Sequence, residues 1–270
     1  MNIYKGCSHG CIYCDSRSEC YRVEDFDTVR AKEDALAVIE RDLRSKRRKG
    51  VVITGSMSDP YNPLEGSLRL TRGALELIDR HRFGIVADTK SDRVVRDIDV
   101  LSSIRTHSPA VVNFTVTAAD DALCRLIEPN VCPTSARFAA MKRLTDAGIR
   151  CGILLMPILP FITDSVENIL SIVRTAHANG ASHIYRAFGV TLRQNQREYF
   201  LDRLSERFPG LRPRYAREFG QTYACVSPSE PELQRAFRSE CDRLGLLYRM
   251  REISEAVRGT YYEDRQTRLF

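Results

Sequence analysis

The feature that most constrains this chain is a repeated alternation between short apolar runs rich in β-branched residues and longer stretches of helical periodicity. "KEDALAVIERDL" (32–43) sets Ala35, Leu36, Ile39 and Leu43 on one helical face, and "VVIT" (51–54) follows as a strand. The beat continues with "RLTRGALELIDRH" (69–81, helix), "GIVADTK" (84–90, strand), "RVVRDIDVLSSIR" (93–105, helix) and "AVVNFTVT" (110–117, strand). "SARFAAMKRLTDAG" (135–148) is a helix stopped by Gly148, and "CGILLMPIL" (151–159) is the next strand. Asp164, with Glu167 three residues on, reads as the N-cap of a helix ending at Asn179-Gly180. "HIYRAFGV" (183–190) and "NQREYFLDRLSERF" (195–208) close the series.

Near-continuous apolar strands separated by amphipathic helices imply an α/β fold with parallel strands covered by helices. With "NIYK" (2–5) counted as a short first strand there are six βα units, too few for a closed eight-stranded barrel and suited to an open, partial (β/α)6 TIM-like barrel. Functional groups then belong at the C-terminal ends of the strands. The beat is lost after Pro209, so the expected organisation is a barrel over 1–208 and a C-terminal extension over 209–270 that packs on it.

No apolar run approaches the roughly 20 residues needed to span a bilayer, and no signal segment precedes the first cysteine, so a cytoplasmic protein without a membrane partner is expected. Nine cysteines in such a chain argue against a disulfide framework, because the cytosol keeps thiols reduced. Clustered ones are then metal ligands and scattered ones mostly small core residues. The net charge of +6 permits an anionic partner such as nucleic acid without demanding one. The densest basic run, "RSKRRKG" (44–50), reads as the end of a helix, its cations complementing the dipole before Gly50.

Three of the cysteines stand together in "GCSHGCIYCD" (6–15), spaced C-x3-C-x2-C, with Gly6 and Gly10 permitting a tight turn around a bound group. A structural zinc site needs a fourth ligand, for which His9 or Cys20 is available. An iron–sulfur cluster fits three thiolates better, since a 4Fe-4S cube held on Cys7, Cys11 and Cys14 keeps one iron open for a small molecule.

With the aromatic Tyr13 directly before the third cysteine, the motif resembles that of the radical S-adenosylmethionine (SAM) superfamily. "NIYKGCSHGCIYCD" (2–15), "GSMSDPYNPLE" (55–65), "TKSDRVVRDIDVL" (89–101) and "MPILPFITDS" (156–165) resemble its spore-photoproduct-lyase-like branch, whose members are often described as DNA repair lyases. The blocks span residues 1 to about 195. The resemblance implies a partial (β/α)6 barrel, a 4Fe-4S cluster on the three cysteines, and SAM chelating the open iron through its amine and carboxylate. It also implies an electron donor of the flavodoxin or ferredoxin type and cleavage of SAM to a 5′-deoxyadenosyl radical that abstracts hydrogen. Nucleic acid is the leading substrate class.

Five positions are assigned to SAM on this basis. Tyr13 follows from its place in the motif, Ser56 from the polar stretch after the strand at 51–54, and Lys90 from its place at the end of the strand at 84–90, where it meets the SAM carboxylate. Asn113, Thr115 and Thr117 alternate and so share one face of their strand, with Thr115 the choice for a ribose or carboxylate contact. Met156 is set against the adenine. All but Tyr13 have a plainer alternative: turn chemistry at Asp59-Pro60, a Lys90–Asp92 pair, a core hydrogen-bond ladder, a core methionine.

The chain also departs from the branch. The lyase draws hydrogen from a cysteine near its SAM-binding serine, but Val52-Ile53-Thr54-Gly55-Ser56 contains no thiol, and the lyase's longer N-terminal region has no counterpart before Cys7. Both features argue against thymine-dimer repair. Cys132 and Cys225 are the alternative hydrogen donors, Cys151 is a core residue, and Cys20, Cys124 and Cys241 carry no functional argument. Two rival readings stand beside this one: a radical enzyme acting on a peptide or small molecule, and a zinc-stabilised nucleic-acid-binding module without catalysis.

Overall fold

The computed structural model describes residues 1–258. β1 (Tyr4–Lys5) and β2 (Arg30–Ala31) are followed by α1 (Ala35–Ser45), β3 (Val51–Thr54), α2 (Glu65–Leu68), α3 (Leu70–Arg80) and β4 (Gly84–Thr89). Then come α4 (Ile98–Arg105), β5 (Ala110–Thr115), α5 (Asp121–Ile127), α6 (Thr134–Asp146), β6 (Arg150–Leu155), α7 (Val166–Ala178) and β7 (His183–Arg186). β3 to β7 form one parallel sheet in chain order, with register pairs such as Thr54↔Ala87, Thr89↔Phe114 and Thr115↔Leu154. All six residues of β5 are buried, as a central strand covered on both faces demands. The main core lies between this sheet and its helices, with Leu75, Ile78, Leu101, Met141 and Ile172 packed on Ile85, Val112 and Ile153.

The architecture is the α/β partial barrel the periodicity predicts, with corrections in detail. The parallel sheet has five strands rather than six, because "NIYK" pairs antiparallel with Arg30–Ala31 (Tyr4↔Ala31, Lys5↔Arg30). The chain start still lies along the free edge of β3, where the Met1 ammonium donates to the Ile53 carbonyl at 2.5 Å. Residues 92–97 form a 3₁₀ turn before α4, so only the second half of the expected 93–105 helix is α-helical. α5 falls in a stretch that reads as loop; its signal is Asp120, whose carboxylate accepts from the Leu123 N–H at 2.7 Å. The cap of α7 is Ser165, accepting from the Asn168 N–H at 3.1 Å, whereas Asp164 accepts from the Ser227 hydroxyl at 2.6 Å. α1 ends at Ser45, so most of the basic run 44–50 is connector, with the Lys49 ammonium 4.8 Å over the Phe83 ring.

"HIYRAFGV" divides. After β7 the chain leaves the sheet as β8 (Gly189–Thr191), passes through α8 (Gln196–Arg207) and α9 (Leu211–Phe219), and pairs β8 with β9 (Ala224–Val226) antiparallel. α10 (Glu230–Leu244) packs on α7, and α11 (Met250–Arg258) ends the described chain. Between them Leu247 bridges His183 in the parallel sense, extending the sheet past β7.

Alternation within the strands puts polar side chains inside the barrel. His183 Nε2 lies 2.9 Å from Asn113 Oδ1, and Asn113 Nδ2 donates to Asp88 Oδ1 at 2.9 Å. Gly152 makes room for this chain, since a Cβ there would collide with the His183 ring. Burial, and secondarily Arg150, pushes the His183 imidazole down to about 4. Below the ordinary histidine value of about 6.5 the unfolded chain takes up a proton that the folded chain refuses until about 4. Stability should therefore fall by on the order of 3 kcal/mol from this group as pH drops through that window. Urea unfolding at a series of pH values checks it: His183→Gln should flatten the curve between pH 6.5 and 4 relative to the parent.

Candidate active site

A cavity of about 500 Å³ opens at the C-terminal ends of the strands. It is lined by Cys7, Cys11 and Cys14 and by Tyr13, Ser56, Lys90, Thr115 and Met156, so the structure brings together all eight residues assigned to metal and SAM. Asp15, Asp88, Tyr185 and Thr191, which the sequence reading passes over, are also part of the wall. Another cavity, of about 540 Å³, lies between α1 and the start of β3; it is largely apolar and holds no cysteine.

The cysteine loop is tied down along its length. Gly6 adopts φ +80°, and a Cβ there would strike the carbonyls of Phe26 and Thr28. The Cys7 N–H donates to the Phe26 carbonyl (2.8 Å), Ile12 N–H to Ile127 (3.0 Å), Asn130 N–H to His9 (3.1 Å), and the Ser58 hydroxyl to Gly6 (2.7 Å). Gln196 Nε2 closes the far end on the Tyr13 carbonyl at 3.0 Å.

Asp59, read from sequence as turn chemistry, is a junction. Its carboxylate accepts from the Tyr61 N–H (2.9 Å), the Thr89 hydroxyl (2.7 Å) and the Lys90 N–H (2.7 Å), and lies 3.9 Å from His9 Nδ1. Burial opposes a charge on His9, but its hydrogen bond to Cys7 and the Asp59 carboxylate outweigh that and hold the imidazole above its ordinary value. Lys90 reaches into the cavity with its ammonium 5.9 Å over the Tyr13 ring. Burial works against its charge, and Cys11, Glu128, Asp59 and Cys14 more than offset this. Burial likewise pushes the Cys11 and Cys14 thiols up, and Lys90 is the first cation opposing it at each. A thiolate ligand needs such a cation.

Beneath the loop lies an ion pair with both partners fully buried: Arg137 Nη2 and Glu128 Oε2 are 2.5 Å apart. Glu128 also accepts from the Tyr13 hydroxyl and, at 3.6 Å, from the Cys124 thiol. Arg137 donates to the carbonyls of Thr115 (2.8 Å) and Cys132 (2.9 Å). Charge outweighs burial on both, so Glu128 is held below and Arg137 above its usual range. The sequence does carry a signal, because Arg137 shares the helical face of Met141 and Leu144, an arginine in an apolar stripe.

The remaining cysteines lie elsewhere. Cys132 donates to the Lys90 carbonyl at 3.1 Å, behind the cavity wall, and Cys225 is fully buried among Val190, Leu192, Phe200 and Tyr215. Neither expected hydrogen donor lines the cavity. Cys151 is core, as expected, and so are Cys124 and Cys241. Cys20 is exposed, 3.2 Å from Arg193 Nη1, and takes no place beside the other three. Among the described residues no group of three or more His, Cys, Asp or Glu side chains converges on a single-ion site. A zinc tetrahedron would require one, whereas a cluster carries each thiolate on its own iron. Three soft sulfur donors facing one cavity with a buried cation fit the cluster.

The buried pair generates a test. Arg137→Met strands the Glu128 charge and should cost about 3–5 kcal/mol, whereas Arg137→Met with Glu128→Leu should recover much of that loss. Urea unfolding of the parent and both variants checks it.

Comparison with known proteins gives a consistent picture. The family model described as the radical SAM superfamily matches residues 1–173. An uncharacterised protein of Mycobacterium tuberculosis is 30% identical over 242 residues, covering 87% of this chain and 71% of its own length. Another, from Methanocaldococcus jannaschii, is 34% identical over 173 residues, 63% of each chain. Among solved structures, a spore photoproduct lyase mutant superposes with a TM-score of 0.64 at 16% identity, over 90% of this chain and 73% of that one. A second lyase structure, with bound AdoMet and dinucleoside spore photoproduct, gives 0.61 at 17%, over 90% and 73%. A radical S-adenosylmethionine methyltransferase from Kitasatospora setae gives 0.57 at 12%, over 90% and 51%.

Proposed function

The chain belongs to the radical SAM superfamily, whose members are enzymes that use a 4Fe-4S cluster and SAM, and from that premise we propose that the cysteine-lined cavity is its reaction chamber. Cys7, Cys11 and Cys14 hold the cluster. Once bound and reduced, a cluster there would supply the electron for reductive cleavage of SAM and so the radical needed for hydrogen abstraction. Lys90 binds the SAM carboxylate, a role suited to a cation held charged by its surroundings. Ser56, just after β3, and Thr115, at the end of β5, offer hydroxyls, and Met156 and Tyr13 offer apolar surface for the adenine side. Asp59 fixes the Lys90 backbone, and the Glu128–Arg137 pair fixes Tyr13 and the Thr115 carbonyl.

The observation that carries this reading is the convergence of the three cysteines, Lys90, Ser56 and Thr115 on one cavity at the strand ends. Superfamily members need a reductant, and a flavodoxin- or ferredoxin-type donor is proposed here. Nucleic acid is the proposed substrate class, supported by the likeness to a lyase solved with a dinucleoside photoproduct and by the net charge of +6. No helix among the described residues is long and apolar enough to cross a membrane. A cytoplasmic enzyme with a C-terminal extension over 209–270, of which 259–270 lie outside the described residues, completes the proposal.

Anaerobically reconstituted protein should be brown and, with reductant, should convert SAM to 5′-deoxyadenosine. Alanine at Cys7, Cys11 or Cys14 should abolish this, while Cys20→Ala should keep its iron and its activity. If Cys20→Ala alone lost its metal, a four-cysteine structural site would replace the cluster assignment.

Lys90→Ala should retain iron near the parent level and weaken SAM binding roughly ten-fold or more, since a charge-assisted contact is worth about 1.5–3 kcal/mol. Calorimetric titration with SAM checks it, and unchanged affinity would remove Lys90 from the SAM site.

A further inference from the structure

Beside the mouth, at the edge of the sheet, lies a separate cavity of about 360 Å³. Tyr185 belongs to the walls of both, so this cavity adjoins the cysteine-lined one at that residue. The other walls are Arg186, Arg238, Tyr248, Arg249 and Met250. Topology explains the grouping. β7 is the last strand of the sheet, and the segment after α10 runs beside it in parallel, Ile184 N–H donating to the Leu247 carbonyl at 2.8 Å. Tyr248 and Arg249 therefore follow level with Ile184 and Tyr185, toward the strand end that carries the mouth.

The lining holds three guanidinium groups and no carboxylate. Arg249 is committed, stacked 5.1 Å over Tyr248 and donating to Glu252 at 2.8 Å. Arg186 is half-buried and fixed, its guanidinium 5.3 Å over the Phe237 ring and its Nε donating to Gln234 at 3.0 Å, and among the described residues its two terminal nitrogens make no hydrogen bond. Arg238, on the exposed side of α10, makes no hydrogen bond or ion pair among the described residues. Burial and then the Arg238 charge hold Arg186 below the usual guanidinium range. Glu230 acts on Arg186 and offsets part of the repulsion from Arg238, and an anion between the two guanidinium groups would turn that repulsion into attraction. Planar forks suit the oxygens of a phosphate better than a point cation does.

We propose that Arg186 and Arg238 form a phosphate subsite, so that the substrate is a phosphate ester whose reacting part enters the cysteine-lined cavity while its phosphate rests on the far side of Tyr185. The inference rests on that cavity being the reaction chamber. A nucleoside monophosphate and a nucleic-acid strand present the same chemistry to the subsite.

The test uses the reconstituted holoprotein and a fluorescein-labelled single-stranded hexanucleotide followed by anisotropy, with thymidine monophosphate as unlabelled competitor. Arg238→Gln, an exposed and unpaired position, should weaken strand binding about ten-fold and reduce the slope of log affinity against log salt by about 0.7 per lost phosphate contact. Arg186→Lys should keep much of the salt slope and still lose affinity, separating fork geometry from charge. Arg47→Gln, in the connector after α1, makes the same charge change far away and should bind as the parent does.

If the strand fails to bind but thymidine monophosphate binds and loses affinity in Arg238→Gln, the subsite stands and the source is a small phosphate ester. Parent-like affinity in both pocket variants, or an equal loss in Arg47→Gln, overturns the subsite. Substrate-free conversion of SAM to 5′-deoxyadenosine, measured in the same preparations, tests the reaction chamber separately. If the parent protein itself forms none, the chamber assignment fails and the inference falls with it.

Discussion

The site depends on a salt bridge that never meets solvent. Glu128 and Arg137 are both fully buried beneath the cysteine loop, and their desolvation is tolerable only because nearly every remaining valence is used. Tyr13 is pinned to Glu128 through its hydroxyl, which sets the aromatic position between the second and third cysteines. Arg137 pins the carbonyl of Thr115, at the top of the central strand, and that of Cys132. One pair thus couples the loop to the sheet, and the loop inherits the rigidity of the sheet.

Above this pair the mouth is organised by charge. Burial raises the cost of a thiolate at Cys11 and Cys14, and Lys90 is the cation placed to lower it. Lys90 in turn remains charged because Cys11, Glu128, Asp59 and Cys14 surround it. These groups stabilise one another, so none has its charge state set alone. A bound cluster, which takes thiolates, and SAM, which brings a carboxylate, would each meet the partner that this arrangement already supplies.

The open barrel has a further consequence. A sheet that ends at β7 leaves an edge, and this chain covers the edge with the 246–248 segment rather than with another βα unit. That substitution places Arg249 and Tyr248 beside Arg186 and builds a basic, aromatic recess against the wall of the reaction cavity.

Local patterns in the sequence determined the alternation of strands and helices, the parallel sheet and the cysteine loop with its C-x3-C-x2-C spacing, because hydrophobic period, β-branched runs and cysteine spacing are properties of neighbouring residues. The family resemblance assigned Ser56, Lys90, Thr115 and Met156 to SAM, and all four line the cavity at the strand ends. Tertiary structure alone decided that "NIYK" pairs with Arg30–Ala31, that Cys132 and Cys225 sit away from the cavity, and that Asp59, His9, Glu128 and Arg137 meet around the loop. Those outcomes depend on contacts between residues far apart in the chain, such as the 115 positions between Tyr13 and Glu128. A buried charge is legible only once its partner is known, because the free energy that makes it tolerable belongs to the pair and to neither residue alone.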